Sequence, residues 1–150
     1  MPVPDPFVFE TRIRIIDTDT SGRIHYTCMF RYFESAEIEF MRSLGILYTL
    51  RDYGFPRVHV ECDYLLALVH DDLIQIEVCL TQLGRSSARL EFRARKGGQL
   101  AARGAVVIVC MDRRTERAMP IPDELRAKLT PALQGSGPGE GDGGSGSGTS

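Results

Sequence analysis

Residues Asp17 to Glu37 read DTDTSGRIHYTCMFRYFESAE, an acid-rich turn that closes on Gly22 and runs directly into an amphipathic helical pattern. A helix start carries N–H groups without intrahelical partners and the positive end of the macrodipole, so it suits polarising a carbonyl or binding an anion. A carboxylate a few residues upstream can attack, or activate water against, whatever that end holds. One continuous run thus offers half of an acyl-transfer site.

Downstream of the turn, Met29, Phe33, Ala36, Phe40 and Leu44 recur at helical spacing, with Phe30 and Met41 widening the stripe and Arg31, Glu34, Glu39 and Arg42 opposite. The pattern predicts a helix of roughly five turns from about His25 to the left-handed cap expected at Gly45. Ile46 to Tyr53 predicts a short second helix. Upstream, Phe7 to Ile16 alternates as a half-buried strand. Four strands are expected later, at Val58–Val69, Leu73–Leu83, Ser86–Lys96 and Leu100–Met111, with turns at His70-Asp71-Asp72 and Gly97-Gly98. The VVIVC run predicts burial on both faces. Pro122 to Leu133 reads as a terminal helix opened by proline. Strand, long helix, then four antiparallel strands describe an α+β fold, one five-stranded layer curled around one helix. That leaves a sheet edge for a second copy to pair.

At 150 residues the chain suits one domain. The expected boundaries are 1–133 for the domain and 134–150 for a flexible tail holding eight of the 15 glycines. A net charge of −2 argues against a general nucleic-acid binder. Nearly all the positive charge is arginine, which leaves a local phosphate site open. Cys28, Cys62, Cys79 and Cys110 lack zinc or redox spacing. No signal peptide or run of about 20 apolar residues is visible. The expectation is a cytoplasmic protein that needs no metal or cofactor and binds neither nucleic acid nor membrane.

The run RIIDTDTSGRIHY, the aromatic helix carrying FESAE, and the later FPRVHVECDY and DDLIQIEV segments resemble the hotdog-fold acyl-CoA thioesterases of the 4-hydroxybenzoyl-CoA thioesterase type, over roughly residues 7 to 112. The resemblance implies a hotdog fold, an antiparallel five-stranded sheet wrapped around a long central helix, assembled as a homodimer or homotetramer. It implies that Asp19, three residues before Gly22, is nucleophile or general base, and that the Tyr26 backbone amide at the helix N-terminus polarises the carbonyl. Asp17 takes a structural place. Two departures stand out: Cys28 occupies the family's Asn position, and His25-Tyr26 replaces the Tyr-His of the Tol-Pal-associated branch.

His25 is a candidate for substrate contact or proton transfer. Gly22 and the segment Arg85, Ser86, Ser87 are candidates for substrate binding, the latter near the phosphates of coenzyme A. The expected substrate is an acyl-CoA or aroyl-CoA thioester, or alternatively an acyl-carrier-protein thioester met by the arginine-rich strand Ala88–Arg95. Two other classes are a hotdog hydratase or dehydratase pairing His25 with Glu34 or Glu37, and a non-catalytic acyl-CoA-binding protein suggested by Cys28.

Overall fold

A computed structural model describes residues 6–49 and 51–134. Leu50 and all of the expected tail except Gln134 lie outside the described residues. The elements run β1 (Phe7–Arg12), α1 (Met29–Ser43), β2 (Tyr53–Gly54), β3 (Arg57–Tyr64), β4 (Leu73–Leu83), β5 (Ser87–Lys96), β6 (Gln99–Val109), β7 (Met111–Asp112) and α2 (Asp123–Leu129). Five strands form one antiparallel sheet in the order β1-β4-β5-β6-β3, and β2 pairs with β7 in a separate two-stranded ribbon.

Alternation places Ile74, Ile76, Val78 and Leu80 of β4 beside Leu90 and Phe92 of β5 on one buried face. The α1 stripe of Met29, Tyr32, Phe33, Ala36, Phe40 and Met41 is buried with them, and the Phe33 ring stacks on Phe92 with centroids 4.7 Å apart. Helix and sheet approach closely at Gly104. A Cβ there would lie 2.5 Å from the Glu61 carbonyl oxygen and 2.6 Å from Phe33 Cε2. The Gly97-Gly98 turn between β5 and β6 has φ values of +57° and +85°, the conformation that makes two glycines a good hairpin connection.

Several boundaries differ from expectation. Helix α1 has 15 residues, about four turns, and starts at Met29 rather than His25. Before it, the Cys28 amide donates to the His25 carbonyl at 2.8 Å, a separate tight turn that occupies the expected first turn. The described part of Ile46–Tyr53 is not helical. Strand β3 stops at Tyr64 because the chain leaves the sheet to serve the Asp19 turn: Leu68 accepts from the Ile24 amide at 2.8 Å, and Val69 bridges Arg23. On β6, Val107 and Val109 are only half-buried, so the sheet's second face is less covered than the VVIVC run suggested. Pro122 precedes α2 as its N-cap, and the helix gives way to a 3-10 turn at Thr130–Ala132.

Candidate active site at the Asp19 turn

The turn is built from the backbone outward. The Asp19 amide donates to the Arg23 carbonyl (2.8 Å) and the Gly22 amide to the Asp19 carbonyl (2.9 Å), with Thr18 and Ile24 bridged below. Gly22 takes φ +84° with open space where a side chain would stand, so the turn needs glycine for its backbone conformation. Within it, Oδ1 of Asp19 accepts from the Ser21 hydroxyl at 2.5 Å and the Ser21 amide at 2.8 Å. Oδ2 has no hydrogen-bond partner among the described residues. The Ser21 hydroxyl and amide hold the Asp19 carboxyl below its usual range, and the nearby His25 adds to the effect.

Asp17 has a different task. It is buried at 4% exposure, accepts from the Tyr32 hydroxyl at 2.6 Å and lies 3.5 Å from Arg31 Nη1. Its carbonyl accepts from the His25 amide at 2.8 Å. It ties the turn to α1, the structural place expected for it.

His25 and Tyr26 follow on the rim, their rings stacked with centroids 4.8 Å apart. The His25 Nδ1 is 2.7 Å from the Thr27 hydroxyl. The amides of Ile24, His25, Thr27 and Cys28 all donate to protein acceptors, whereas the Tyr26 amide has none among the described residues. Its carbonyl accepts from the Tyr64 hydroxyl at the end of β3. The Tyr26 amide thus belongs to the turn before the helix, not to the helix start itself, and Cys28 is the N-cap without a side-chain cap bond.

The other candidates do not gather here. Arg85, Ser86 and Ser87 sit where β4 returns into β5, the opposite end of β4 from the Asp19 turn. Eleven residues at about 3.3 Å each put roughly 35 Å between those ends. The Arg85 and Ser86 carbonyls are committed to the Ile121 and Cys110 amides. Glu37 is buried at 1% exposure, accepting from Arg57 Nη2 at 2.8 Å and the Tyr48 hydroxyl at 2.6 Å. No contact joins Glu37 or Glu34 to His25 among the described residues, so the pair that the alternative hydratase reading needs is not assembled. The arginine-rich β5 strand is largely occupied: Arg89 pairs with Glu91 (3.1 Å) and Arg95 with Glu77 (3.1 Å). That weakens the case for an acidic carrier protein. Among the described residues no cluster of His, Cys, Asp and Glu has the grouping to hold a metal, and no helix is long and apolar enough to cross a membrane.

The Arg57–Glu37–Tyr48 cluster around the buried Glu37 carboxylate escaped the sequence reading. Its signal was present, since Glu37 lies on the same helical stripe as Phe33 and Phe40.

A protein of Aquifex aeolicus (strain VF5), named only as a candidate esterase, is 37% identical over 83 residues, 53% of this chain and 65% of that protein. The chain therefore spans just under two thirds of that relative's length. The 1,4-dihydroxy-2-naphthoyl-CoA hydrolase of Synechococcus elongatus is 28% identical over 127 residues, covering 80% of this chain and 92% of that enzyme. A solved structure of a hypothetical Aquifex aeolicus protein superposes with a TM-score of 0.78 at 26% identity, over 83% of this chain and 99% of that one. Residues 13–129 match the thioesterase-like superfamily, and the chain belongs to it.

Proposed function

We propose that this protein hydrolyses an acyl-CoA or aroyl-CoA thioester to a carboxylic acid and free thiol at the Asp19 turn. One observation carries the site assignment: an exposed carboxylate with one oxygen fixed by Ser21 and the other free, on the same short loop as the unpartnered Tyr26 amide. The match to the thioesterase-like superfamily and the similarity to a naphthoyl-CoA hydrolase support the substrate class.

Of the two roles that the sequence leaves open for Asp19, nucleophile fits better. Its exposed Oδ2 has no hydrogen-bond partner among the described residues and can meet a thioester carbonyl directly, while Ser21 fixes Oδ1 and favours the ionised form. Oδ2 attacks the thioester carbonyl, the Tyr26 N–H receives the developing oxyanion, and collapse expels the thiolate to leave an aspartyl anhydride. Water then cleaves the anhydride, releasing the acid and restoring Asp19. One oxyanion donor is typically worth about 2.7–4 kcal/mol. His25, stacked on Tyr26 at the rim, is placed to contact substrate or carry a proton.

The functional unit in this reading is a cytoplasmic homo-oligomer in which the sheet wraps α1 as its central helix. Strand β3 is an edge strand with Val58 and Val60 exposed, an open ladder suited to a second copy. Pairing across that edge offers a route by which Arg85–Ser87 of one subunit serves the Asp19 turn of another, which the single chain does not allow.

The test is free-thiol release from short, long and aromatic acyl-CoAs, wild type beside Asp19→Asn. Loss of at least a thousandfold in kcat with the fold intact supports the assignment. Equal turnover in both proteins removes Asp19 from the mechanism.

A further inference from the structure

At the far end of β3 from the Asp19 turn, Ile46, Tyr48, Tyr53 and Phe55 line a concavity of about 260 Å³. Its apolar wall is aromatic: the Tyr48 ring stacks on Phe55 (centroids 6.1 Å apart, 28°), and Tyr53 meets Phe55 edge-on (6.0 Å, 89°). Leu125 of α2 adds to the lining. The Tyr48 hydroxyl is anchored to Glu37 at 2.6 Å, so this wall is fixed from behind.

Arg51 and Arg113 also line the cavity, the Arg113 guanidinium lying over Gly54. Arg113 is held in place: its Nε donates to the Tyr53 carbonyl at 3.2 Å and its amide to the Asp52 carbonyl at 2.9 Å. Its Nη2 lies 3.3 Å from where a Cβ on Gly54 would stand, so the missing side chain lets the guanidinium rest over the β2 backbone. With Nε committed, the Nη groups stay available. Neither arginine has a carboxylate partner among the described residues, in contrast to Arg57, Arg89, Arg95 and Arg103. Arg51 and Arg113 also border a polar hollow with Asp52, Asp112 and Arg114; no ion pair joins either arginine to those acids among the described residues, and Oδ1 of Asp112 is engaged by the Arg114 and Thr115 amides.

An aromatic slot with forked cations beside it selects an apolar body carrying a planar anion. We propose that this pocket binds a free carboxylate, a monocyclic arene or short alkyl acid, with its apolar part against Tyr53 and Phe55 and its carboxylate on Arg113 and Arg51. The eight residues of β3, roughly 25 Å of strand, separate it from the Tyr26 loop of the same chain. Identifying the occupant as the class of acid released by the proposed reaction rests on that reading; the binding itself does not.

Calorimetric titration of the intact protein with benzoate and octanoate, beside benzamide and octanamide, tests it without any turnover. The expected result is saturable binding of the acids at least tenfold tighter than their amides. Arg113→Met and Arg51→Met should each weaken it at least tenfold with unchanged melting temperature, and Asp19→Asn should leave it intact. Acid and amide binding equally, or acid binding that survives both arginine substitutions, overturns the proposal. So does binding lost in Asp19→Asn and kept in the arginine variants, since the acid then sits at the Asp19 turn. A protein that binds benzoate through Arg113 yet cleaves no thioester keeps the pocket and refutes the proposed reaction alone.

Discussion

The Tyr32 hydroxyl donates to Oδ2 of Asp17 at 2.6 Å while accepting from the Arg14 amide at 2.9 Å, so one phenol in the first turn of α1 secures the chain that leads into the Asp19 loop. Tyr32→Phe leaves a buried carboxylate and an amide short of a partner. The expected cost is about 1–3 kcal/mol in urea unfolding, with a lower kcat from the loosened loop.

The same phenol gives a signature in alkali. Burial first, and then the bond to Asp17, push its pKa up to about 12 from an ordinary value of 10.0. The native state keeps a proton that the unfolded chain releases. This contribution is therefore complete below pH 10 and is lost as pH rises through about 12. Unfolding measured from pH 9 to 12 should show a stability decline in wild type that is shallower in Tyr32→Phe.

Ser21 sets the acid limit of the proposed reaction. Its hydroxyl and amide favour ionised Asp19, so the acid limb of kcat/KM should fall below the ordinary 3.8. Ser21→Ala removes the larger of those influences and should move the limb to higher pH while changing the rate at pH 7 by less than tenfold. The check is a pH–rate profile of both proteins. A limb that stays in place separates Ser21 from control of Asp19.

Much of this arrangement is written locally. Ile74, Ile76, Val78 and Leu80 alternate because one sheet face is buried, and Phe33, Ala36 and Phe40 repeat at helical spacing because one stripe of α1 meets that face. The start of α1 is less legible: Cys28 caps it without a side-chain bond, and the His25–Cys28 turn imitates a first helical turn. Ile46 to Tyr53 has helix-like apolar spacing, but several of its aromatic and aliphatic residues face Phe55, Arg113 and Leu125, distant partners that no local period announces. The separation of Arg85–Ser87 from Asp19 is equally invisible, because it follows from the antiparallel path of β4.

The buried Glu37 carboxylate pairs with the half-buried Arg57 at 2.8 Å, with the Tyr48 hydroxyl on the same carboxylate oxygen. Arg57→Met strands a buried charge and should destabilise by about 3–5 kcal/mol, whereas Glu37→Gln should cost much less. Burial raises the Glu37 carboxyl above its ordinary 4.5 despite Arg57. The native state then takes up a proton before the unfolded chain does. This group's contribution is complete below 4.5 and is lost as pH rises through the raised native value. Removing Arg57 extends that loss upward, so thermal melts should show a smaller deficit for Arg57→Met at pH 5 than at pH 7.

At Gly104 the helix–sheet distance itself is testable. An added methyl would meet the Glu61 carbonyl and the Phe33 ring well inside contact distance, and neither is a flexible chain end. Gly104→Ala should destabilise by about 1–3 kcal/mol, because Phe33 is pressed between α1 and Phe92 and has little room to retreat. In Gly104→Ala combined with Phe33→Leu the two losses should be less than additive, as expected for groups competing for one space. Strict additivity in a double-mutant cycle would mean that the strain is relieved elsewhere.

The β3 edge decides whether the proposed site is complete in one chain. Val58 is 60% exposed and Val60 47% exposed on a strand whose outer ladder has no strand partner among the described residues. Lysines at both positions, Val58→Lys with Val60→Lys, should block edge pairing by charge repulsion between copies while leaving the buried face of the sheet untouched. Light scattering should then report a monomer where wild type is oligomeric. Thioester turnover should fall at least tenfold if Arg85–Ser87 reaches the Asp19 turn only from a neighbouring subunit. A double variant that is monomeric and fully active would place the whole reaction within one chain and remove Arg85–Ser87 from it.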